Sequence, residues 1–309
     1  MAKDKAPPSE TPQYRFGIGE WYGRSLVGLT AEERLQYAEL QFASDGAIPT
    51  CPFKSVPCWK KGGVCSLRSY QRVKSIGQIA IDARGSTFRT VCPTRFEQSE
   101  EIYRWIAEVV LGDSKAVPVG QVNFLERVPL IGGPTVEGTK PPKEVGRVDN
   151  VLVVPNSKPL QWCAVEIQAV YFSGRNMKLH FQEVRDGNPA ELPFPKHTRR
   201  PDYRSSAPKR LMPQLQIKVP TLSRWGKKMA VVVDEDFFKA MGHMENVADL
   251  SNSDVAWFVV RYREERTAVH LERGQVVLTR LQSAIDGLIA GTPPAQGTFE
   301  EKIRERLKS

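Results

Sequence analysis

Ala164-Val165-Glu166-Ile167-Gln168 and, one strand earlier, Val148-Asp149-Asn150 read as neighbouring β-strands with acids set among apolar residues. Side chains alternate faces along a strand, so Glu166 and Gln168 share one face while Val165 and Ile167 pack on the other. A carboxylate in such a strand is costly unless something ligates it. If Asp149 lies on an adjacent antiparallel strand, its carboxylate converges with that of Glu166 on one cation. Two carboxylates with open coordination positions suit magnesium beside a phosphate. Acids on neighbouring strands also decorate solvated sheet faces, so the pair needs support from the rest of the chain.

Outward from this pair the chain alternates between strand and helix spellings. Residues 147–154 and 160–172 read as a strand pair, 229–233 as a short buried strand and 256–262 as another. Thr30-Ala31-Glu32-Glu33 has the form of a capping box, which predicts a helix to about residue 42. Ser99 is placed to cap a second helix, with Glu100 and Glu101 in its first turn and Ile102, Trp105, Ile106, Val109 and Val110 on one apolar stripe before Gly112. Leu278, Leu281, Ile285 and Leu288 share a helical face, and residues 298–301 repeat the capping-box spelling ahead of a short terminal helix with Ile303 and Leu307. These elements predict a mixed α/β fold in which helices flank a central sheet. A chain of 309 residues suits one elaborated domain or a core with a smaller module, and no internal repeat is evident. Residues 1–13 are polar and rich in proline and are expected to form a disordered tail.

Charge is concentrated rather than spread. Residues 196–228 hold ten basic side chains and one acid, Asp202, a balance equal to the whole chain's formal charge of +9. Pro195, Pro201, Pro208 and Pro213, with Ser205-Ser206, argue against a regular basic helix and for an irregular arm. Such a cluster suits a polyanion, and nucleic acid fits better than a merely solvated loop. No apolar run approaches membrane-spanning length and the first residues lack the apolar stretch of a secretory signal, so a soluble cytoplasmic protein is expected, with no membrane partner.

Four of the five cysteines are spaced at Cys51, Cys58, Cys65 and Cys92. Gaps of six residues are not zinc-finger spacing. Pro49, Pro52, Pro57, Gly62, Gly63 and Pro93 flank the thiols, and a segment poor in core-forming residues can be ordered by four thiolates on one metal. Buried cysteines without a ligand are the competing reading. Cys163, opposite Glu166 by strand parity, is a core thiol. The histidines His180, His197, His243 and His270 are scattered, and Trp162 and Trp257 read as core residues.

Thr50-Cys51-Pro52-Phe53, Gly63-Val64-Cys65, Val91-Cys92-Pro93-Thr94-Arg95 and Val165-Glu166-Ile167-Gln168, in this order, resemble the NotI-type restriction endonucleases. The likeness continues through residues 211–238, Ala256-Trp257-Phe258-Val259-Val260 and Thr298-Phe299-Glu300-Glu301-Lys302. The resemblance implies a homodimeric Type II restriction endonuclease built on a PD-(D/E)xK nuclease core, with glutamine in the usual lysine position. It implies Asp149 and Glu166 as the two catalytic, magnesium-binding acids, Gln168 in the lysine slot and Glu126 as an additional glutamate from the preceding helix. It also implies one structural iron on Cys51, Cys58, Cys65 and Cys92, for which zinc is chemically suitable too. The spacing from Asp149 to Glu166 is shorter than the family pattern suggests. The organisation implied is a four-cysteine module over residues 14–98 and a nuclease core over 99–309 with its basic arm at 196–228.

Hydrolysis of a DNA phosphodiester needs an activated water, charge stabilisation at phosphorus and help for the leaving oxygen. Gln168 cannot be a general base because its amide is neutral, but it can orient water and donate to phosphate. In the arm, Arg199, Arg200, Arg204, Lys209 and Arg210 are candidates for DNA contact, and arginine can read guanine bidentately, which suits the palindromic, GC-rich sites that the resemblance implies. A twofold enzyme matches a palindrome, and a cognate methyltransferase is expected in the same system without direct binding. A non-catalytic DNA-binding protein with a metal knot would use the same thiols and arm, but leaves Asp149 and Glu166 without a task. A nuclease directed by DNA structure rather than sequence shares the carboxylates.

Overall fold

β1 (Gln13–Trp21) and β2 (Arg24–Ser25) open the described chain as a hairpin whose turn, Tyr22-Gly23, has positive φ at both residues. The computed structural model describes residues 13–43, 48–72, 79–81, 88–125, 146–188, 190–291 and 294–307. Thr30 caps α1 (Ala31–Glu39) with the full reciprocal box, Glu33 N to Thr30 Oγ1 at 3.2 Å and Thr30 N to Glu33 Oε2 at 2.9 Å. β3 (Val64–Arg72), β4 (Ile79–Ile81) and β5 (Arg89–Thr90) follow, then α2 (Glu101–Ile106), which continues into a wide π-type turn at Ala107–Leu111. Short strands β6 (Val117–Pro118), β7 (Val122–Asn123) and β8 (Arg147–Val148) lead to β9 (Asn150–Val154), β10 (Gln161–Ile167) and β11 (Phe172–Gly174). Next come α3 (Lys178–Asp186), β12 (Arg199–Pro201), α4 (Tyr203–Ser206) and α5 (Met212–Arg224). The chain closes with β13 (Met229–Asp234), α6 (Glu235–Lys239), the long hairpin β14 (Val255–Glu265) and β15 (Ala268–Thr279), α7 (Leu281–Ile289) and α8 (Gln296–Leu307).

Among the described residues, eleven strands join one mixed sheet in the order β4-β3-β1-β2-β15-β14-β13-β10-β9-β6, with β5 paired to β3. At its centre β10 runs parallel to β13 and β13 parallel to β14, while β9 and β15 are antiparallel on the two flanks. β13 is buried at every residue, as a central strand covered on both faces must be. Side-chain parity divides its residues between two cores. Met229, Val231 and Val233 join Leu215, Val219 and Leu222 of α5, with Ala284 and Leu288 of α7. Ala230 and Val232 join Ile102, Trp105 and Ile106 of α2, and Cys163 and Val165 face the same way. A third core around Ile18, Trp21, Leu67, Tyr70 and Phe181 lies under the strands at the amino-terminal end of the sheet. No described helix is long and apolar enough to cross a membrane.

Several sequence expectations change in detail. Ser99 does not cap α2: Ser99 and Glu100 both have left-handed backbone, with φ of 53° and 57°, and no side-chain cap is made there. The apolar stripe of α2 holds for Ile102, Trp105 and Ile106, but Val109 is exposed because the π turn rotates it away from the sheet. Leu278 belongs to β15, not to the helix after it, and residues 298–301 lie inside α8 rather than at its start. The largest change concerns residues 196–228, which are not an irregular arm. Apart from β12, most of this stretch is helical from Tyr203 to Arg224. The prolines are carried inside this run: Pro208 lies in a widened π-type turn at Ala207–Leu211, Pro213 directly after it and Pro220 further along α5, and a π turn is where a helix absorbs an interrupted hydrogen-bond ladder. The tail expected over residues 1–13 lies outside the described residues except for Gln13, which starts β1.

One buried cation ties the amino-terminal strands to the remainder. The Arg95 guanidinium is inaccessible to solvent; its Nε donates to Glu20 of β1 at 2.6 Å, Nη1 to Gln98 and Nη2 to the Val269 carbonyl of β15. It also lies over the rings of Phe53 and Tyr262. Removing one partner of such a pair leaves an uncompensated buried charge. Arg95→Ala is expected to lower unfolding free energy by about 3–5 kcal/mol in denaturant titration. A loss below about 1 kcal/mol would show that water reaches Glu20.

Candidate active site

The strand that enters the site breaks at its acid. β8 pairs with β7 and β9 with β10, and Asp149 is the single residue between β8 and β9. Its backbone leaves one ladder and joins another at that point, so its carboxylate turns across to β10, where Oδ2 accepts from the Ile167 amide at 3.1 Å. Asn150 is held in turn, its Oδ1 accepting from Gly120 N at 2.9 Å and its Nδ2 donating to the Tyr103 hydroxyl at 2.8 Å. Asn150 is the register partner of Val165, which sets Asp149 opposite Glu166. The Asp149 amide lies 3.4 Å from Glu166 Oε1. The structure therefore brings the two predicted acids together at the carboxyl end of β10, beside the parallel strand β13, the usual position for a ligand site in such a sheet.

Glu166 is 5 % exposed, and Ala164, two residues before it, joins the core that includes α5. From that helix Lys218, itself 1 % exposed, brings Nζ to 2.5 Å from Glu166 Oε1. Burial pushes the Glu166 carboxyl up to about 7; the neighbouring Asp149 charge pushes it the same way, while Lys218 and the Asp149 amide oppose the rise. An acid held up by desolvation and a second acid is one that a cation relieves, so the pair fits a divalent ion in donor type and in electrostatics. Lys218 was missed in the sequence, where it counted as one more positive charge in a basic segment. Its signal was positional: on α5 it lies between Leu215 and Val219 on the buried stripe, where an ammonium needs a partner.

Gln168 follows the end of β10 and keeps its ladder contact, its amide donating to the Val232 carbonyl at 3.0 Å. Its side-chain Nε2 donates to the Ala169 carbonyl at 2.6 Å. Two residues on, Val170 N donates to the Thr90 carbonyl, and Thr90 N donates to Asp234 Oδ2, so β5 and the end of β13 fix this loop. Glu126, the proposed additional glutamate, lies outside the described residues.

The four cysteines of residues 51–92 come into one neighbourhood. Cys51 N donates to Val56 O and Cys58 N to Pro49 O, folding that loop on itself, while Cys92 N donates to Cys65 O. Burial raises the Cys58 thiol, and the charges of Cys51 and Cys92 raise it further. Burial likewise raises Cys65 and Cys92, with Cys65 sensing Cys92. Backbone amides pull the other way, from Lys60 on Cys58, from Gly23 on Cys65 and from Thr94 and Arg95 on Cys92. Amides aimed at sulfur favour thiolates, so the donor chemistry fits a thiophilic metal. The closed four-thiolate knot expected from the sequence is nonetheless not formed: among the described residues no three His, Cys, Asp or Glu side chains are disposed around one metal position. The Cys58 and Cys65 sulfurs point instead to the Lys60 and Gly63 carbonyls, each at 3.6 Å. Cys163 is a buried core thiol, as parity required.

A cleft of about 570 Å³ opens beside the acids, running from Ile167 and Gln168 along residues 169–177 and bounded across by Trp59, Lys60, Lys61 and Pro93. Arg175, Arg199 and Arg210 also line it, and Arg210 lies over the Tyr171 ring at 5.0 Å. Of the predicted DNA contacts, Arg200, Arg204, Lys209 and Arg210 are exposed. Arg199 is 4 % exposed and donates to the Arg175 and Asn176 carbonyls, so it also shapes the wall. Lys60, Lys61 and Arg175 were not singled out from sequence because they lie outside the basic cluster. His180 is a buried structural residue with Nδ1 2.8 Å from Glu183.

The folded value of Glu166, about 7, lies above its ordinary 4.5, so its stabilising contribution is full below pH 4.5 and is lost as pH rises through 7. In chelator, the unfolding free energy of the native chain minus that of Glu166→Gln is expected to fall across this window and to level off above it. A difference that stays flat from pH 4 to 8 would mean that Glu166 is solvated.

The family model described as restriction endonuclease NotI matches residues 37–273. No curated protein matches the chain. The match covers most of the 309 residues, and the chain belongs to the NotI restriction endonuclease family, a class of site-specific deoxyribonucleases.

Proposed function

We propose that this member of the family is a magnesium-dependent Type II restriction endonuclease that hydrolyses double-stranded DNA at a palindromic, GC-rich site as a homodimer. The observation that carries the reading is the pairing of Asp149 with the buried Glu166 at the end of β10, inside the segment matched by the family. In this reading strands β9, β10, β13 and β14 with helices α2 and α5 form a PD-(D/E)xK core, within residues 99–309. Asp149 and Glu166 would hold magnesium, which when bound would lower the pKa of a water and offer positive charge to a phosphate. Asp149 is kept in place by the Ile167 amide and Glu166 by Lys218. Gln168 turns its amide from the Ala169 carbonyl toward the attacking water and the phosphate, and the neutral amide takes no proton. Glu126 is proposed to add a further carboxylate.

The basic cleft next to Gln168 suits the DNA backbone on either side of the cut, with Arg204, Lys209 and Arg210 on the exposed helical segment, Arg200 exposed on β12 and Arg199 behind them. Residues 14–98 are proposed as the cysteine module, in which one structural iron or zinc would draw Cys51, Cys58, Cys65 and Cys92 together from the open arrangement of this structure. The support is the mutual influence of the thiols and the amides aimed at three of them. A cognate methyltransferase protecting the same site belongs to this proposal.

Incubation of the purified chain with a large unmethylated DNA of known sequence, with magnesium or chelator, followed by sequencing of product ends, tests the activity. Discrete magnesium-dependent fragments sharing a palindrome are expected. Random degradation would replace site-specific cleavage with a structure-directed nuclease, and DNA retained on a gel without cutting would favour a binding protein. Asp149→Ala and Glu166→Ala are each expected to reduce cleavage by at least about 10³-fold while DNA binding in calcium persists. Normal cutting by either variant would remove that residue from the mechanism. Cys58→Ser is expected to lower metal content, read by elemental analysis, together with thermal stability.

A further inference from the structure

Lys218 is an ammonium on an apolar helix stripe. Its neighbours on that face, Leu215, Val219 and Leu222, are each at most 1 % exposed, and Lys218 is 1 % exposed. A charge buried this fully is retained when its contact does something that an apolar side chain cannot. Its ammonium lies against Glu166 Oε1, the same carboxylate that faces Asp149. Gln168, which stands where a lysine would be expected two residues after the acid, donates to Ala169 instead and brings no charge.

We propose that Lys218 is the internal counterion of Glu166: it holds the carboxylate aimed into the site until a divalent ion takes it, and the released ammonium then pairs with a phosphate of bound DNA. The proposal rests on the reading of Asp149 and Glu166 as metal ligands. An ammonium and a divalent ion on one buried carboxylate repel strongly, so the ion must displace Lys218 to gain full use of Glu166. The lysine stem is long and flexible, so the exchange proceeds through a change of its rotamer. Displacement without a new partner leaves a buried ammonium uncompensated, and DNA supplies that partner. Metal and DNA therefore strengthen each other's binding, which keeps the acids from loading metal in the absence of substrate. Lys218 acts here through Glu166 and is a positioning residue.

The test is calcium titration of the full chain by calorimetry, with and without unmethylated duplex DNA, alongside thermal unfolding in chelator. In the native chain DNA is expected to tighten calcium binding by about tenfold. Lys218→Met should bind calcium about tenfold more tightly without DNA and lose most of the effect of DNA. Lys218→Arg, which keeps the charge and grips a carboxylate with two donors, should bind calcium more weakly than the native chain. These opposite directions separate the proposal from a purely structural role, in which both variants would lose stability and neither would tighten calcium binding. Calcium binding that Asp149→Asn weakens but both Lys218 variants leave unchanged would overturn the proposal and keep the metal site. Calcium binding that is insensitive to Asp149→Asn would overturn the metal site and the proposal with it.

Discussion

Glu166 sets a carboxylate into a layer that is otherwise apolar, and the surrounding architecture answers to it. Strand β10 alternates between two cores, so a residue at this position must point either at α2 or at α5, with no solvated face on offer. The charge is met from two sides by groups of opposite sign. Burial, and after it Asp149, raises the cost of ionising Glu166 and Lys218 lowers it, leaving the carboxyl pushed up to about 7. Such a balance responds to small changes of charge nearby, which is the property needed where an anionic substrate and a cation must meet.

The geometry around the acid is overdetermined by main-chain contacts. Asp149 is fixed by the Ile167 amide, Asn150 by Gly120 and Tyr103, and the loop after Gln168 by Thr90. Thr90 is itself held by Asp234, a buried acid raised to about 6 by desolvation that also caps α6 through the Phe237 amide. The chain leaving the active strand is thus anchored to β5, two residues before the last of the four clustered cysteines. Packing of the cysteine segment and placement of Gln168 are consequences of the same few hydrogen bonds.

Much of this was legible in the sequence where a local rule decides the outcome. The alternation around Glu166 gave the correct faces for Val165 and Cys163, and the Thr30 to Glu33 spelling gave a real capping box. Rules failed where neighbours in space decide. Ser99 has the composition of a cap, but its backbone is left-handed and follows an extended Gln98, a kink that separates α2 from the turn begun at Pro93. The prolines of residues 201–220 suggested irregularity, yet the helical run from Tyr203 to Arg224 carries three of them, with a π-type turn at Ala207–Leu211 taking up the interruption. Lys218 could not be told from the other basic residues around it without knowing which face of α5 meets the sheet. β1, with two glycines and three charged or polar side chains among nine residues, carries no clean alternation and was not read as a strand.

The long sheet has a narrow waist. Between its amino-terminal strands and the hairpin of β14 and β15, the ladder consists of a single register pair, Ala268 with Arg24. Beyond that pair and the bond from Ser25 N to the Thr267 carbonyl, the waist is spanned by side chains: Arg95 with Glu20 and the Val269 carbonyl, Arg68 and Ser25 with Glu264, and Thr90 with Tyr262. A backbone ladder is indifferent to sequence, whereas ties of this kind exist only while particular residues stand at particular positions. Whether the two ends of the sheet behave as one elastic body is therefore written in a few side chains, and substitutions there can loosen or stiffen the coupling between them while leaving each end's own strand pairing intact.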